Sequence, residues 1–165
     1  MTRAINAGDR RSLFVLAGLI VLCLFVGLLG SLVTLPKIPT WYAGLQKPFF
    51  TPPNWVFGPA WTALYIIMAV AAWRVWRAAA EGRSRRLALI VFAGQLALNL
   101  TWSFAFFGAQ SPLLGVIVIA ALAAMILWTT ALFARLDRGA AWLMAPYAAW
   151  VAYAAALNIA ILVLN

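Results

Sequence analysis

The side chains in this sequence that could do chemistry are aromatic rings and amides, and their spacing places them on common helical faces. One run, with intervals of four, three and four residues, consists of Gln95, Asn99, Trp102 and Phe106. Residues at this spacing lie on one face of an α-helix. Two further runs with helical spacing are Trp61, Tyr65, Met68 and Ala72, and Tyr147, Trp150, Ala154 and Asn158. Three predicted helices therefore each carry a stripe that joins rings to hydrogen-bonding groups.

These stripes have two interpretations. Polar side chains inside an apolar helix normally face the protein interior or a cavity, because facing lipid is costly. In the first interpretation Gln95, Asn99 and Asn158 join helices, and each hydrogen bond contributes about 0.6–2 kcal/mol. In the second they line an apolar, flat-walled pocket that is open toward the outer side of the membrane. Such a pocket suits a planar hydrophobic ligand that is held by ring stacking and a few amide hydrogen bonds.

Metal-centred and hydrolytic chemistry is poorly supplied with residues. The chain has no histidine, which is the commonest metal ligand and the usual general base near neutral pH. Its three carboxylates, Asp9, Glu81 and Asp137, lie outside the predicted membrane spans, and its one cysteine, Cys23, lies inside an apolar run. The sequence therefore predicts no metal site and no required cofactor.

The composition predicts an integral membrane protein. Apolar residues make up 67% of the chain and charged residues 9%, against roughly 45–50% and 25% in soluble domains. Five apolar runs are long enough to cross a hydrocarbon core of about 30 Å. They predict a single all-α domain over residues 1–165, a bundle of five transmembrane helices at about 12–35, 55–75, 87–107, 112–133 and 141–164.

The distribution of basic residues predicts the orientation of the chain. One face has Arg3, Arg10, Arg11, Arg74, Arg77, Arg83, Arg85, Arg86, Arg135 and Arg138, and the opposite face has only Lys37 and Lys47. Since cytoplasmic loops carry the excess of Lys and Arg, the N-terminus is predicted to be cytoplasmic and the C-terminus to face outward. The clusters are interpreted as topology signals and lipid-headgroup contacts, and no nucleic acid partner is expected.

The first outer connection, residues 36–54, leads into an unusual sequence. The stretch from Trp41 to Trp61 contains four prolines and seven aromatic residues. Proline fixes the backbone torsion φ and lacks an N–H donor, and it biases the preceding residue toward extended conformations. We therefore expect the stretch from Trp41 to Trp61 to be a stiff, non-helical cover.

Three stretches resemble the translocator protein (TspO) family, also known as the peripheral-type benzodiazepine receptor family, and its bacterial members in particular. They are W-Y-A-G-L-Q-K-P-F-F-T-P-P-N-W-V-F-G-P-A-W at 41–61, N-L-T-W-S-F-A-F-F at 99–107, and P-Y-A-A-W with a later L-N at 146–150 and 157–158. The resemblance covers almost the whole chain. It implies a five-helix bundle in a bacterial membrane, often a homodimer, that binds porphyrins such as protoporphyrin IX beneath the first loop.

The resemblance also implies which residues contact the ligand. The positions that match the family's cavity are Trp41, Trp55, Trp61, Asn99, Trp102, Phe106, Trp150 and Asn158. The predicted ligand-binding set adds Phe57 from the same connection, and Tyr65 and Tyr147 from the helical stripes. One departure concerns sterols, because the family's cholesterol-recognition pattern has a tyrosine and a basic residue after the L-N, and Asn158 is followed by neither.

Three functions follow from the resemblance. The first is a membrane tetrapyrrole-binding protein that acts as a sensor, scavenger or regulator of porphyrin and stress responses. The second is an enzyme that degrades the bound porphyrin in light, with Trp61 and Trp150 as electron donors, which requires no acid–base pair. The third is a tetrapyrrole transporter, which is favoured least because the spans contain no internal repeat and no charged residue for ion coupling.

Overall fold

Five helices, each long and apolar enough to cross a membrane, form the part of the chain that the structure describes. This computed structural model describes residues 7–78 and 82–165. The helices are α1 (Ala7–Thr34), α2 (Phe57–Arg77), α3 (Arg83–Ser103), α4 (Pro112–Leu136) and α5 (Arg138–Leu164). The predicted all-α membrane fold is confirmed. Arg3 and Glu81, which the charge analysis included, lie outside the described residues.

The first outer connection is more helical than its prolines suggested. α1 is followed directly by a 3-10 turn, Leu35–Lys37, and a π-helical turn, Ile38–Tyr42. The prediction of a non-helical cover over residues 41–61 is therefore wrong at both ends, because Trp41 and Tyr42 lie in the π-helical turn and α2 already begins at Phe57. Pro36 and Pro39 each lie at the start of a helical turn, where the missing N–H costs no hydrogen bond. The non-helical cover is the shorter segment 45–53.

Small residues of α2 let the neighbouring helices pack closely against it. α1 packs on α2 and α3, α4 packs on α3 and α5, and α2 also packs on α5. Ala69, Ala71 and Ala72 of α2 are completely buried. Small side chains allow helix backbones to approach closely, which is the main source of helix association in lipid. α2 can therefore contact both α1 and α5 and bring their inner faces to one site.

Proline 146 lies deeper in its helix than the predicted span at about 141–164 implies. That span would place Pro146 in the first turns of the helix, but α5 begins at Arg138 and contains Pro146 in its interior. Proline lacks the N–H that would bond to the carbonyl of Trp142, so the helix loses one internal hydrogen bond there. Tyr147, the next residue, is fully buried in the centre of the bundle.

A carboxylate outside the spans fixes the connection between α4 and α5. Asp137 accepts a hydrogen bond from the Ala140 N–H at 2.8 Å and so caps α5. The same carboxylate pairs with the Arg74 guanidinium of α2 at 3.1 Å. Partial burial alone would raise the pKa of Asp137, but the Ala140 N–H and Arg74 together hold the pKa below its ordinary value.

We expect acid to weaken this connection. Because the pKa of Asp137 is lower in the folded protein, its stabilisation is fully present above the ordinary carboxyl pKa of about 3.9 and is lost as the pH falls through the folded value. Asp137→Ala should lower the unfolding free energy by about 1–2 kcal/mol at neutral pH, since it removes a cap and an exposed ion pair. Thermal unfolding in detergent would measure the loss.

Asp137→Asn is the matched control, because an amide keeps the capping oxygen without the charge. It should lose less stability than Asp137→Ala and should flatten the acid dependence. Equal stability of all three proteins from pH 3 to 7 would contradict this account of the connection.

Candidate functional site

A cavity of about 390 Å³ lies between α1, α2, α3 and α5. This volume is within the usual range for small-molecule sites, about 300–1,000 Å³. Eight of the eleven residues in the predicted ligand-binding set line it, namely Phe57, Trp61, Tyr65, Asn99, Trp102, Phe106, Trp150 and Asn158. The fold thus brings the three helical stripes to one space.

Three predicted site residues do not line the cavity. Trp41 lies behind its wall and packs edge-on against Phe106, with ring centroids 5.3 Å apart. Tyr147 is completely buried in the core. Trp55 is 75% exposed, because the 3-10 turn Asn54–Val56 directs it away from the bundle. A tryptophan in that position is typical of a membrane–water interface.

One wall of the cavity is an aromatic cluster centred on Trp61 of α2. Its ring centroid lies 5.7 Å from that of Tyr65 and 6.5 Å from that of Trp150. The Trp150 ring also contacts Phe57, at 6.0 Å. The indole nitrogen of Trp150 is buried and has no hydrogen-bond acceptor among the described residues. This wall therefore offers ring faces and edges, together with the unpartnered indole N–H of Trp150.

The facing wall comes from the outer end of α3, where the helix continues as a π-helical turn, Phe104–Gly108. Trp102 and Phe106 stack nearly parallel, with centroids 5.5 Å apart and planes inclined by 13°. Tyr42 and Phe107 complete this wall and were not predicted. Neither residue belongs to one of the three predicted stripes, although Phe106, in the same π-helical turn as Phe107, does.

The amides of the stripes are already used within the protein. The Tyr65 hydroxyl donates to Asn99 Oδ1 at 2.6 Å, and Asn99 Nδ2 donates to the Tyr147 oxygen at 3.0 Å. The Tyr147 hydroxyl donates in turn to Gln95 Oε1 at 2.9 Å. We call these four residues the amide–tyrosine chain. It joins α2, α3 and α5, which supports the interhelical interpretation of Gln95 and Asn99.

The polar atoms of Asn158 also have hydrogen-bond partners within the protein. Its Oδ1 accepts from the indole N–H of Trp102 at 3.2 Å, and its Nδ2 donates to the Ala154 carbonyl at 2.8 Å. This bond joins α3 to α5 at the outer end of the cavity. The side chain still forms part of the wall, but its polar atoms have partners without a ligand.

Gly27 lets α1 close the cavity. A Cβ atom at this position would lie 2.5 Å from Cε2 of Tyr65, so a side chain would displace the Tyr65 ring or move α1 outward. Gly27 and Ser31 are small residues one helical turn apart, a pattern that favours close helix contact. The structure shows what the contact does, because the Tyr65 ring beneath Gly27 is also the first member of the amide–tyrosine chain.

The cavity reaches the surface along the seam between α1 and α2. Leu28 and Leu35 of α1 and Gly58 and Thr62 of α2 all line the cavity and are exposed. The seam lies within the spans, so the opening includes a side that faces lipid. Among the described residues that line the cavity, none is charged. An apolar ligand thus meets an apolar entrance.

Comparison with known proteins identifies the family. The model of the TspO/MBR family matches residues 19–164. The chain belongs to the TspO/MBR family. Among similar members, "Tryptophan-rich protein TspO" of Chlorobaculum tepidum is 43% identical over 156 residues, covering 94% of this chain and 98% of the relative. The family resemblance drawn from the three sequence stretches is confirmed.

Other TspO/MBR members differ in what their names emphasise. "Tryptophan-rich sensory protein" of Cereibacter sphaeroides is 39% identical over 129 residues, or 78% of this chain and 79% of the relative. "Translocator protein" of Homo sapiens is 38% identical over 122 residues, or 72% of this chain and 70% of the relative. Membership of the family therefore agrees with the membrane fold and leaves the ligand to be argued from the cavity.

We expect Asn99→Leu to destabilise the bundle rather than only weaken ligand binding. The buried Tyr65 hydroxyl would lose its acceptor, which costs about 1–3 kcal/mol. Thermal unfolding in detergent would measure this loss. The double variant Asn99→Leu/Tyr65→Phe should lose less than the sum of the single variants, because both partners of the 2.6 Å bond are then removed together. Full stability of Asn99→Leu would contradict the interhelical role.

Proposed function

We propose that this TspO/MBR membrane protein binds a tetrapyrrole such as protoporphyrin IX in the cavity and acts as a sensor, scavenger or regulator of porphyrin and stress responses. The observation that carries the proposal is the pair of aromatic walls, Trp61 with Trp150 on one side and Trp102 with Phe106 on the other. Aromatic side chains provide large apolar contact areas with preferred stacked or edge-on geometries. Such walls suit a flat, conjugated ring.

The polar atoms of the site support binding more than acid–base catalysis. The Asn99 and Asn158 amides are held by protein partners, and no charged residue is among the described residues that line the cavity. No described group of His, Cys, Asp and Glu residues is arranged to hold a metal ion. The proposed site therefore holds the ligand mainly by shape and ring contact.

Light-dependent degradation of the bound porphyrin is a second candidate. Trp61 and Trp150 both line the cavity, and their ring centroids are 6.5 Å apart. A tryptophan beside the ligand could supply an electron to the excited macrocycle, and dioxygen would be the terminal oxidant. A binding protein leaves the porphyrin spectrum unchanged under illumination, whereas this enzyme would bleach it.

The proposal includes the orientation and the assembly of the protein. Arg74, Arg77, Arg83, Arg135 and Arg138 lie at one end of the described helices and Lys37 and Lys47 beyond the other. This asymmetry supports a cytoplasmic N-terminus in a bacterial membrane. A homodimer is proposed from the family resemblance. A mass measurement of the detergent-solubilised protein, with the detergent subtracted, tests it.

A titration with protoporphyrin IX tests the proposed function. We expect saturable quenching of tryptophan fluorescence in the dark and no bleaching beyond a detergent control in light. Trp150→Phe should weaken binding by about 0.5–1.5 kcal/mol, or roughly two- to tenfold, because a smaller ring remains in the wall. Trp142→Phe is the matched control, because Trp142 is 77% exposed and does not line the cavity.

Two results would change the conclusion. Bleaching that disappears in Trp61→Phe and Trp150→Phe but persists in Trp142→Phe would establish the degrading enzyme instead. An absence of saturable binding by folded protein would reject the tetrapyrrole assignment.

A further inference from the structure

Hydroxyl groups inside these helices usually bond to their own backbone. The side chains of Ser31, Thr40, Thr62, Thr101, Thr129 and Thr130 each donate to the carbonyl four residues earlier, at 2.8–3.0 Å. This bond satisfies the hydroxyl locally, which matters in a membrane, where no bulk water replaces it. A hydroxyl in the cavity wall that does not make this bond remains available to another acceptor.

Thr34 of α1 and Ser103 of α3 depart from this pattern. Neither hydroxyl has a hydrogen-bond partner among the described residues, and both side chains line the cavity. Both residues are half-buried. The buried unpartnered side-chain atom is the indole nitrogen of Trp150, so the hydroxyl oxygens of Thr34 and Ser103 are not sealed off. They remain open to the cavity.

The two hydroxyls belong to one wall. α1 and α3 approach closely there, because a Cβ atom on Gly30 would lie 2.9 Å from Ser103 Oγ. Thr34 follows Gly30 by one helical turn and so lies on the same face of α1. The aromatic cluster of Trp61 and Trp150 belongs to α2 and α5. A ligand ring stacked there therefore has its polar edge available to the α1–α3 wall.

We propose that the Thr34 and Ser103 hydroxyls form the polar anchor of the cavity and donate hydrogen bonds to a neutral carbonyl oxygen of the ligand. The proposal rests on the proposed tetrapyrrole-binding function and specifies the ligand class, a flat apolar ring that carries an ester, an amide or a protonated acid. An ionised carboxylate fits less well, because no charged residue lies among the described residues that line the cavity, and a buried charge without a partner is costly.

Affinity measurements with two porphyrins distinguish the contribution of this anchor from the contribution of the ring itself. Protoporphyrin IX dimethyl ester carries two carbonyl groups, whereas etioporphyrin has the same macrocycle with alkyl substituents only. We expect Ser103→Ala and Thr34→Val each to weaken binding of the ester by about three- to tenfold, the worth of one neutral hydrogen bond. Binding of etioporphyrin should be unchanged, which also shows that each variant is folded. Thr34→Ser, which keeps the hydroxyl, should retain the affinity for the ester.

The control is Thr101→Val on α3, because this exposed hydroxyl donates to Ala97 and lies outside the cavity. It should bind both porphyrins as the unsubstituted protein does. Thr62→Val is a sharper comparison, since Thr62 lines the cavity but already donates to the Gly58 carbonyl. An equal loss of ester affinity in Thr62→Val would overturn the proposal, because cavity polarity rather than a free donor would then be responsible.

Other results would also overturn it. Equal weakening of the ester and of etioporphyrin in Ser103→Ala and Thr34→Val would assign the hydroxyls a purely structural role. A loss of ester affinity confined to Tyr42→Phe would move the anchor to the outer end of the cavity, where the Tyr42 ring lies. Saturable binding of etioporphyrin together with unchanged ester affinity in all variants would reject the anchor and keep the tetrapyrrole site. If neither porphyrin binds, the proposed function fails as well.

Discussion

The amide–tyrosine chain is the interaction on which the rest of the site depends. Tyr65, Asn99, Tyr147 and Gln95 lie within membrane-spanning helices, where an unsatisfied polar group costs several kcal/mol. Their three hydrogen bonds satisfy one another and join α2, α3 and α5. The relative position of these three helices is therefore determined by directional hydrogen bonds as well as by apolar packing, which is less directional. The cavity is the space that this arrangement leaves beside α1.

The same constraint explains why the site is aromatic. With the Asn99 and Asn158 amides bonded within the protein, ring faces, ring edges, the Asn54 side chain, the indole N–H of Trp150 and a few hydroxyls remain to contact a ligand. Trp61, Trp102 and Trp150 supply much of that surface, and they provide contact area without charge. A site of this kind distinguishes ligands by flatness and size and by where their few polar atoms lie. The close approach of Gly27 to Tyr65 connects α1 to this arrangement, since a side chain at position 27 would collide with the Tyr65 ring.

The sequence predicted the structure correctly where the backbone is a regular α-helix with a constant spacing of residues on each face. Five apolar runs predicted five helices, and the stripes through Asn99 and Trp150 predicted residues that now line one cavity. Ligand contact by any of them stays a prediction. Residue spacing could not show that Tyr147 lies in the core behind the cavity wall. A stripe indicates which face of a helix points inward, but it does not indicate how deeply each residue of that face is buried.

The errors and omissions came from local geometry. The prolines between Trp41 and Trp61 suggested a non-helical cover, yet a π-helical turn includes Trp41 and Tyr42, and α2 already begins at Phe57. Tyr42 and Phe107 were missed because neither belongs to one of the three stripes from which the site was predicted. Thr34 and Ser103 were missed because sequence does not show which hydroxyls return to their own backbone. Pro146 was placed too near the start of its helix, because the predicted span began near residue 141 whereas α5 begins at Arg138.

The most direct test of the central claim is a crystal structure of the protein with protoporphyrin IX bound, determined in a lipid environment. The account predicts the macrocycle inside the cavity, with the Trp61–Trp150 cluster on one side and the Trp102–Phe106 pair on the other, and with the amide–tyrosine chain intact. A macrocycle bound on the lipid-facing surface or above the segment 45–53, with the cavity unoccupied, would contradict the account.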